Sequence, residues 1–187
     1  MHTSKHHLSI RRLCEGALLI AFAEILSLHP LYKLPWGGAI DLAMLPLFVF
    51  CSRWGFGPGM LVCTAHAFLQ TLLEGGIAIG WQSILGDFLI AYMVLGIAGL
   101  FWQKPGGFYL GTLAGCGMRF LVHYVVGATI WAEYMPEQFF GMTMTSPWIY
   151  SALYNGFYMV IDCIAVLFIG FLLRKTPAKQ FLQPYNL

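Results

Sequence analysis

Six apolar runs, separated by short polar breaks, divide the chain almost from end to end. They cover about residues 13–28, 39–51, 55–73, 81–102, 108–131 and 148–173. A helix needs about 20 mainly apolar residues to cross the hydrocarbon core of a bilayer. Only 10% of the residues are charged, against about 25% in soluble domains, so most of the surface must face lipid. The sequence therefore predicts an all-α membrane protein, a single domain over 1–187 with six transmembrane helices, of which the second is short.

Basic residues are confined to alternate breaks between the apolar runs. One side of the predicted bundle collects Lys5, Arg11, Arg12, Arg53, Lys104, Arg174, Lys175 and Lys179. The opposite side carries Lys33 together with Glu74, Glu133 and Glu137. Because cytoplasmic loops are enriched in Lys and Arg, both termini are predicted to be cytoplasmic, as a short N-terminal segment, 1–12, and a C-terminal tail, 175–187. The breaks at 29–38, 74–80 and 132–147 then face outward.

Five charged residues interrupt the apolar runs or lie at their ends. They are Glu24, Asp41, Asp87, Arg119 and Asp162. A charged side chain at the centre of a membrane helix costs about 2.5–3.5 kcal/mol on insertion scales, so each one is a candidate functional residue. For Glu24 and Asp162, in mid-helix, we favour internal pairing. For Asp41, which begins the second run, we favour helix capping.

Asp87 is the strongest ligand candidate among these residues. It lies near the outer end of the fourth run, where its carboxylate could face a pocket open to the outside. Arg119 and His123 are four residues apart and therefore share one face of the fifth helix. We favour Arg119 as a structural partner for a buried acid, with Asp87, Glu24 or Asp162 as that acid, and keep a ligand role as the alternative.

Aromatic residues make up 16% of the chain, and several lie at the outer ends of the runs. Trp81 and Trp148 fit an interfacial aromatic belt. Trp131, Tyr150 and Asn155 instead flank the longest outer break and can border one cavity. Aromatic rings attract cations and stack on flat rings, and a carboxylate or amide orients a polar edge. The pattern therefore predicts a pocket for a flat, aromatic, cationic ligand.

The chemistry of several other protein classes is missing from the sequence. It contains no GxxxxGK[ST] loop for nucleotide hydrolysis, no HExxH and no GxSxG. The five cysteines form no CxxC pair, and we interpret them as small apolar side chains, with no metal site or disulfide framework. We therefore expect a protein that is not an enzyme and that needs no cofactor.

Several stretches of the chain match one family. They are Arg119-Phe120-Leu121-Val122-His123, then Gly127, Trp131, Tyr134 and Pro136, Trp148-Ile149-Tyr150-Ser151, Tyr154-Asn155-Gly156, Gly37-Gly38-Ala39-Ile40-Asp41, Leu45-Pro46, Arg53-Trp54-Gly55 and Asp87-Phe88. From about Arg12 to Arg174 the chain resembles the thiamine-specific substrate-binding subunits (S-components) of energy-coupling factor transporters. That resemblance implies six helices, thiamine captured at the outer face of a prokaryotic cell membrane, and docking on a membrane scaffold subunit that carries two ATPases.

The resemblance also implies the site residues. The thiamine pocket would contain Asp87, His123, Trp131, Tyr150 and Asn155, with Trp36 in an outer lid and His66 at the place of a third-helix aromatic. Asp87, often Glu in the family, would compensate the thiazolium charge or hold the aminopyrimidine, and Trp131 would stack on a ring. In the first helix, Ala17 and Ala21 form a small-xxx-small pair that would contact the scaffold subunit, with packing inside this protein as the alternative.

Two other functions compete with thiamine capture. One is an S-component for another vitamin, such as riboflavin or biotin. The other is a secondary transporter coupled to protons through Asp87, His123 and Arg119. An intramembrane enzyme is disfavoured because its nucleophile and metal motifs are missing from the sequence.

Overall fold

The computed structural model describes residues 2–34, 38–75 and 78–185, with the side chains of 2–6 left out. The helices in this part of the chain are α1 (His2–Leu28), α2 (Met44–Trp54), α3 (Phe56–Glu74), α4 (Trp81–Phe101), α5 (Gly107–Thr129) and α6 (Pro147–Arg174). Two short antiparallel hairpins join them, β1–β2 (Tyr32–Lys33 with Ala39–Ile40) and β3–β4 (Gln138–Phe139 with Met142–Thr143). The protein is therefore mostly helical.

Four of the helices, α3 to α6, are long and apolar enough to cross a membrane. Their outward faces carry exposed leucines, such as Leu61 and Leu72. Large exposed apolar side chains over whole helices would be unfavourable in water, since burial of apolar surface drives folding there. These four helices show that the chain is a membrane protein.

The first helix is longer than the sequence indicated. We expected it to begin near residue 13, after a short polar segment, but α1 begins at His2 and has 27 residues. No proline or glycine occurs between residues 2 and 12, so nothing in this polar segment breaks a helix. The apolar pattern marked only the apolar part of α1.

The second helix begins later than the expected residue 39. Ala39 and Ile40 form strand β2, and α2 begins only at Met44. Between them, Asp41 accepts a hydrogen bond from the backbone N–H of Ala43 (2.7 Å) through Oδ1. This local turn satisfies a backbone donor before the helix starts, so Asp41 lies three residues upstream of α2 rather than in it.

The short helix α2 lies in the centre of the bundle. All 11 of its residues are buried, and it is in contact with α1, α3, α4 and α5. A β-carbon at Gly115 of α5 would lie only 2.5 Å from the Phe48 ring of α2, so glycine is what lets the two helices approach. At about 1.5 Å per residue α2 is half the thickness of a bilayer core. Its central position explains why so short an apolar helix is stable here.

The long break between α5 and α6 is folded. A 3₁₀ helix, Ala132–Tyr134, precedes the β3–β4 hairpin. The two turn residues of the hairpin, Phe140 (φ 51°) and Gly141 (φ 73°), both have left-handed backbones, as a two-residue hairpin turn of type I′ requires. The hairpin places Phe139 against Tyr150, with ring centroids 5.2 Å apart, and so covers the start of α6.

Candidate functional site

A cavity of about 130 Å³ opens at the end of the bundle that carries both hairpins. Side chains from the loop between α1 and α2 and from α3, α4, α5 and α6 line it. One water molecule needs about 10–15 Å³ of such space, so the cavity has room for a small organic molecule. Its ionisable wall residues are Lys33, Asp41, Glu74, Asp87, Arg119 and His123. Acidic side chains outnumber Lys and Arg by one, which favours a cationic ligand.

Asp87 lies in a π-helical stretch of α4, Ile84–Ile90. Short π-helical stretches occur often at functional sites. Three side chains meet the Asp87 carboxylate: Oδ2 accepts from Ser83 Oγ (3.0 Å) and Trp131 Nε1 (2.8 Å), and Oδ1 lies 3.0 Å from His123 Nδ1. The carboxylate is thereby held in one orientation at the cavity wall.

His123 is a neutral imidazole with its proton on Nδ1. Arg119 Nε donates to His123 Nε2 (3.3 Å), and since arginine is only a donor, Nε2 must be the acceptor. The proton of the neutral ring is then on Nδ1, where it donates to Asp87 Oδ1. Arg119, His123 and Asp87 thus form a directed row of hydrogen bonds along one wall of the cavity.

Arg119 pairs with none of the acids that the sequence suggested. Within the described residues, its guanidinium has no carboxylate oxygen within 4.0 Å. It lies instead over the Tyr92 ring, with Cζ 4.1 Å from the ring centroid. The side chain is only 8% exposed and lines the cavity. The expectation of a direct ion pair for Arg119 was therefore wrong, because an aromatic face and a histidine take the place of the acid.

Three tyrosines of α6, Tyr150, Tyr154 and Tyr158, form one wall of the cavity. Their spacing of four residues puts them on one helix face, with centroids 5.6 and 5.8 Å apart along the row. Tyr154 also accepts a hydrogen bond from the backbone N–H of Gly38 (3.1 Å). This tyrosine ladder connects the β1–β2 hairpin to the deep part of the cavity.

Asn155 ties α6 to α5 beside this ladder. Its Nδ2 lies 3.0 Å from the Ser151 carbonyl and 3.3 Å from the His123 carbonyl, and its Oδ1 accepts from Tyr158 (2.8 Å). The close approach depends on Gly127, where a β-carbon would lie 2.5 Å from Ser151 Oγ. Asn155 lines the cavity but is already hydrogen-bonded at both ends of its amide, so it holds the wall in place.

The cavity brings together five of the residues that the sequence singled out. Asp87, His123, Trp131, Tyr150 and Asn155 all line it, although they come from α4, α5, α6 and the α5–α6 loop. Trp36, the expected lid residue, lies outside the described residues.

His66 is the exception, because it does not line the cavity. Its side chain is fully buried in α3, and Nδ1 lies 2.8 Å from Glu24 Oε1 of α1. Gln70 donates to the other oxygen of Glu24 (3.2 Å). The His66 ring meets the edge of Tyr92 at 4.7 Å, and Tyr92 does line the cavity. In this structure His66 therefore contacts an acid on α1 and the ring of Tyr92, a residue of the cavity wall.

Asp162, a further buried acid, is held near Asp41. Its Oδ1 accepts the backbone N–H of Asp41 (3.1 Å). Asp41 lines the cavity, whereas Asp162 does not. This contact fastens the turn before α2 to the middle of α6.

Sequence reasoning did not assign several wall residues to the pocket, among them Ser27, Lys33, Glu74, Tyr92 and Tyr158. Tyr158 continues the four-residue spacing of Tyr150 and Tyr154, and this periodicity could have identified it. Lys33 and Glu74 were assigned to the outer side but not to the pocket. Tyr92 lies in an uninterrupted apolar run, and nothing in that run distinguishes it from a core residue.

The two alanines of α1 lie away from the cavity. Ala17 and Ala21 are both exposed, next to Cys14 and Leu18 on the outward face of the helix. Gly16 faces inward instead, where its α-carbon packs toward Phe50 and Val62. Packing among the residues that the structure describes therefore does not cover the small-xxx-small pair.

Comparisons with known proteins agree on one family. A family model described as "Thiamine transporter protein (Thia_YuaJ)" matches residues 13–182. The thiamine transporter ThiT of Bacillus subtilis (strain 168) is 27% identical over an alignment of 187 residues, which covers 90% of this chain and 94% of that protein. The solved structure of ThiT from Listeria monocytogenes matches with a TM-score of 0.81 at 21% identity, covering 92% of this chain and 98% of that one.

The structural match shows a shared fold, and the family model covers nearly the whole chain. The family consists of transporters rather than enzymes. This protein therefore belongs to the thiamine transporter protein (Thia_YuaJ) family.

Proposed function

We propose that this protein binds thiamine in the cavity and serves as the substrate-binding subunit of an energy-coupling factor transporter. The observation that carries the proposal is the meeting of Asp87, His123 and Trp131 in the wall of a cavity that is also lined by the tyrosine ladder. Thiamine has two flat aromatic rings, one of them a cationic thiazolium, and such a ligand gains from a carboxylate and from aromatic faces together.

Each wall has its own part in binding. The Asp87 carboxylate attracts the thiazolium charge or accepts from the aminopyrimidine. The Trp131 indole, fixed by its hydrogen bond to Asp87, offers a ring face, and Tyr150 adds an aromatic surface on the other side. His123 and Asn155 keep these groups in position and complete the polar edge. Trp36 is proposed as part of the lid, on the resemblance alone.

We also propose that all six helices are embedded in the cell membrane, with both termini in the cytoplasm. The four long apolar helices support this arrangement, and the central α2 needs no contact with lipid. Arg53 and Arg174 lie in the last turns of α2 and α6, and Lys104 follows the end of α4, all of them away from the cavity. The positive-inside rule puts that end in the cytoplasm, so the cavity opens outward.

Energy for transport would come from other subunits. The sequence has no nucleotide-binding loop, and the family resemblance implies a scaffold subunit with two ATPases. The exposed face of α1 around Ala17 and Ala21 supports docking there, since small residues let helices approach closely.

A binding screen of the purified protein against water-soluble vitamins tests the proposed function. We expect thiamine to bind at one molecule per protein, and riboflavin and biotin not to compete. Tight binding of riboflavin or biotin with none of thiamine would show that the chain serves another vitamin.

A further inference from the structure

A second cleft, of about 90 Å³, lies at the opposite end of the bundle from the cavity. Its wall residues include Ser9 and Arg12 of α1, Arg53 and Trp54 of α2, and Tyr185 of the C-terminal tail. Trp102, which follows α4, closes another side. Among the wall residues two are arginines and none is acidic.

One polar atom in this cleft is buried without a partner. Trp54 is only 8% exposed, and among the described residues its Nε1 has no hydrogen-bond acceptor. A buried donor left without a partner costs about 1–3 kcal/mol. The indole N–H is therefore a vacant donor in the wall of a basic cleft.

Arg53 supplies further donors at the same place. Its guanidinium forms an ion pair with Glu15, and Nη1 donates to the Gln180 carbonyl (2.7 Å). Arginine has five N–H groups, and within the described residues the contacts of Nε, Nη1 and Nη2 with Glu15 and Gln180 use three of them. The remaining N–H groups, together with the exposed side chain of Arg12, are suited to an anion.

The C-terminal tail builds the outer wall of the cleft. After a 3₁₀ helix, Pro177–Leu182, the Tyr185 ring stacks on Trp54 with centroids 4.9 Å apart. The backbone N–H of Tyr185 donates to the Arg53 carbonyl (2.9 Å), and its hydroxyl accepts from Arg11 (2.6 Å). The tail is thus fastened to α1 and α2, and the cleft is a built feature rather than a gap between loose ends.

We propose that this cleft binds the phosphate of an anionic phospholipid headgroup. Basic pockets between membrane helices at their polar ends suit such headgroups. The Arg12 and Arg53 guanidinium groups would attract the negatively charged phosphate, and Trp54 Nε1 would donate a hydrogen bond to a phosphate oxygen. A lipid fits better than free phosphate because Leu8 lines the cleft and Leu13, one residue after Arg12, is an exposed apolar side chain of the same helix.

Native mass spectrometry of the purified full chain, titrated with phosphatidylglycerol or phosphatidylcholine in detergent, tests the proposal. We expect the wild type to retain phosphatidylglycerol over phosphatidylcholine. Arg12→Gln should weaken that retention about fivefold, as loss of one basic residue near a lipid surface does. Trp54→Phe keeps an aromatic ring but removes the N–H, and should weaken the retention of phosphatidylglycerol about tenfold.

Lys104→Gln is the matched control. It removes one positive charge at the same end of the bundle, and Lys104 does not line the cleft. Equal retention of the two lipids by the wild type, or an equal loss in Lys104→Gln and Arg12→Gln, would overturn the proposal. So would inorganic phosphate that raises the melting temperature as much as the same concentration of phosphatidylglycerol. If Trp54→Phe does not fold, the exposed Arg12 still decides the outcome. Thiamine plays no part in this test, so it stands apart from the proposed function.

Discussion

The Trp131 indole donates a 2.8 Å hydrogen bond to the Asp87 carboxylate across the wall of the cavity. The two residues are 44 positions apart in the chain, one on α4 and the other in the α5–α6 loop, just after α5 ends. Because the bond fixes the indole, an aromatic face and a negative charge are presented to the cavity together. The predictions for thiamine binding depend on this pair.

Asp87→Asn should weaken thiamine binding strongly, because it keeps the shape of the side chain and removes the charge. Hydrogen bonds to charged groups contribute about 1.5–3 kcal/mol, which corresponds to roughly 10- to 150-fold in Kd. Titration calorimetry measures the change. Glu133→Gln removes an acid of the outer loop that does not line the cavity, and should leave the Kd unchanged. Equal affinities of the Asn variant and the wild type would remove Asp87 from the site.

Two substitutions at Trp131 separate its ring from its hydrogen bond. Trp131→Ala should cost about 1–3 kcal/mol of binding free energy, the size found for aromatic stacking on bases. Trp131→Phe keeps a ring but loses the donor to Asp87, so its Kd should lie between those of the wild type and the alanine variant. Thiamine quenching of the remaining tryptophan fluorescence would report both constants. If the phenylalanine and alanine variants bind equally weakly, the hydrogen bond and not the ring face carries the affinity.

His66→Leu should lower the stability of the fold and leave thiamine affinity largely unchanged. It leaves the buried Glu24 without the histidine nitrogen that lies 2.8 Å from Oε1, and a buried polar group left without a partner costs about 1–3 kcal/mol. The melting temperature in detergent should fall. The double variant Glu24→Leu/His66→Leu removes the stranded acid and should recover most of the loss. A loss of thiamine affinity as large as that of Asp87→Asn, with an unchanged melting temperature, would instead make His66 a ligand residue.

Ala17→Trp should block transport and leave thiamine binding intact. The bulky side chain would project from the exposed face of α1 and keep a partner helix away. Uptake of labelled thiamine by cells that also express a scaffold subunit and two ATPases would be lost, while the purified variant binds normally. Val160→Phe enlarges an exposed residue of α6 and serves as the control. Normal uptake by the Ala17 variant would place the docking surface elsewhere.

Much of the architecture can be predicted from residue patterns along the sequence. Long apolar runs predicted α3 to α6 to within two residues at each end, because a helix at membrane depth must be apolar along its length. The start of α2 did not follow, since Ala39 and Ile40 are as apolar as the helix after them. Hairpin pairing with Tyr32 and Lys33, which no local pattern encodes, decides their structure.

The cavity wall likewise contains some residues that the sequence identifies and others that it does not. Asp87, His123 and Asn155 could be found because polar groups at membrane depth are costly and therefore conspicuous. Tyr92 could not be found, because a tyrosine in an apolar run has the composition of a core residue. Its place in the wall, under the Arg119 guanidinium, depends on how α4 packs against α5. The role of His66 likewise depends on Glu24, 42 positions away on another helix.

A crystal structure of the protein with thiamine would show directly whether the cavity is the binding site. We expect thiamine in the cavity between Trp131 and the tyrosine ladder, with the Asp87 carboxylate within about 6 Å of the positively charged ring, the range over which opposite charges stabilise each other. Thiamine bound at another place on the protein, with the cavity and its Asp87–Trp131 hydrogen bond unchanged, would contradict this expectation.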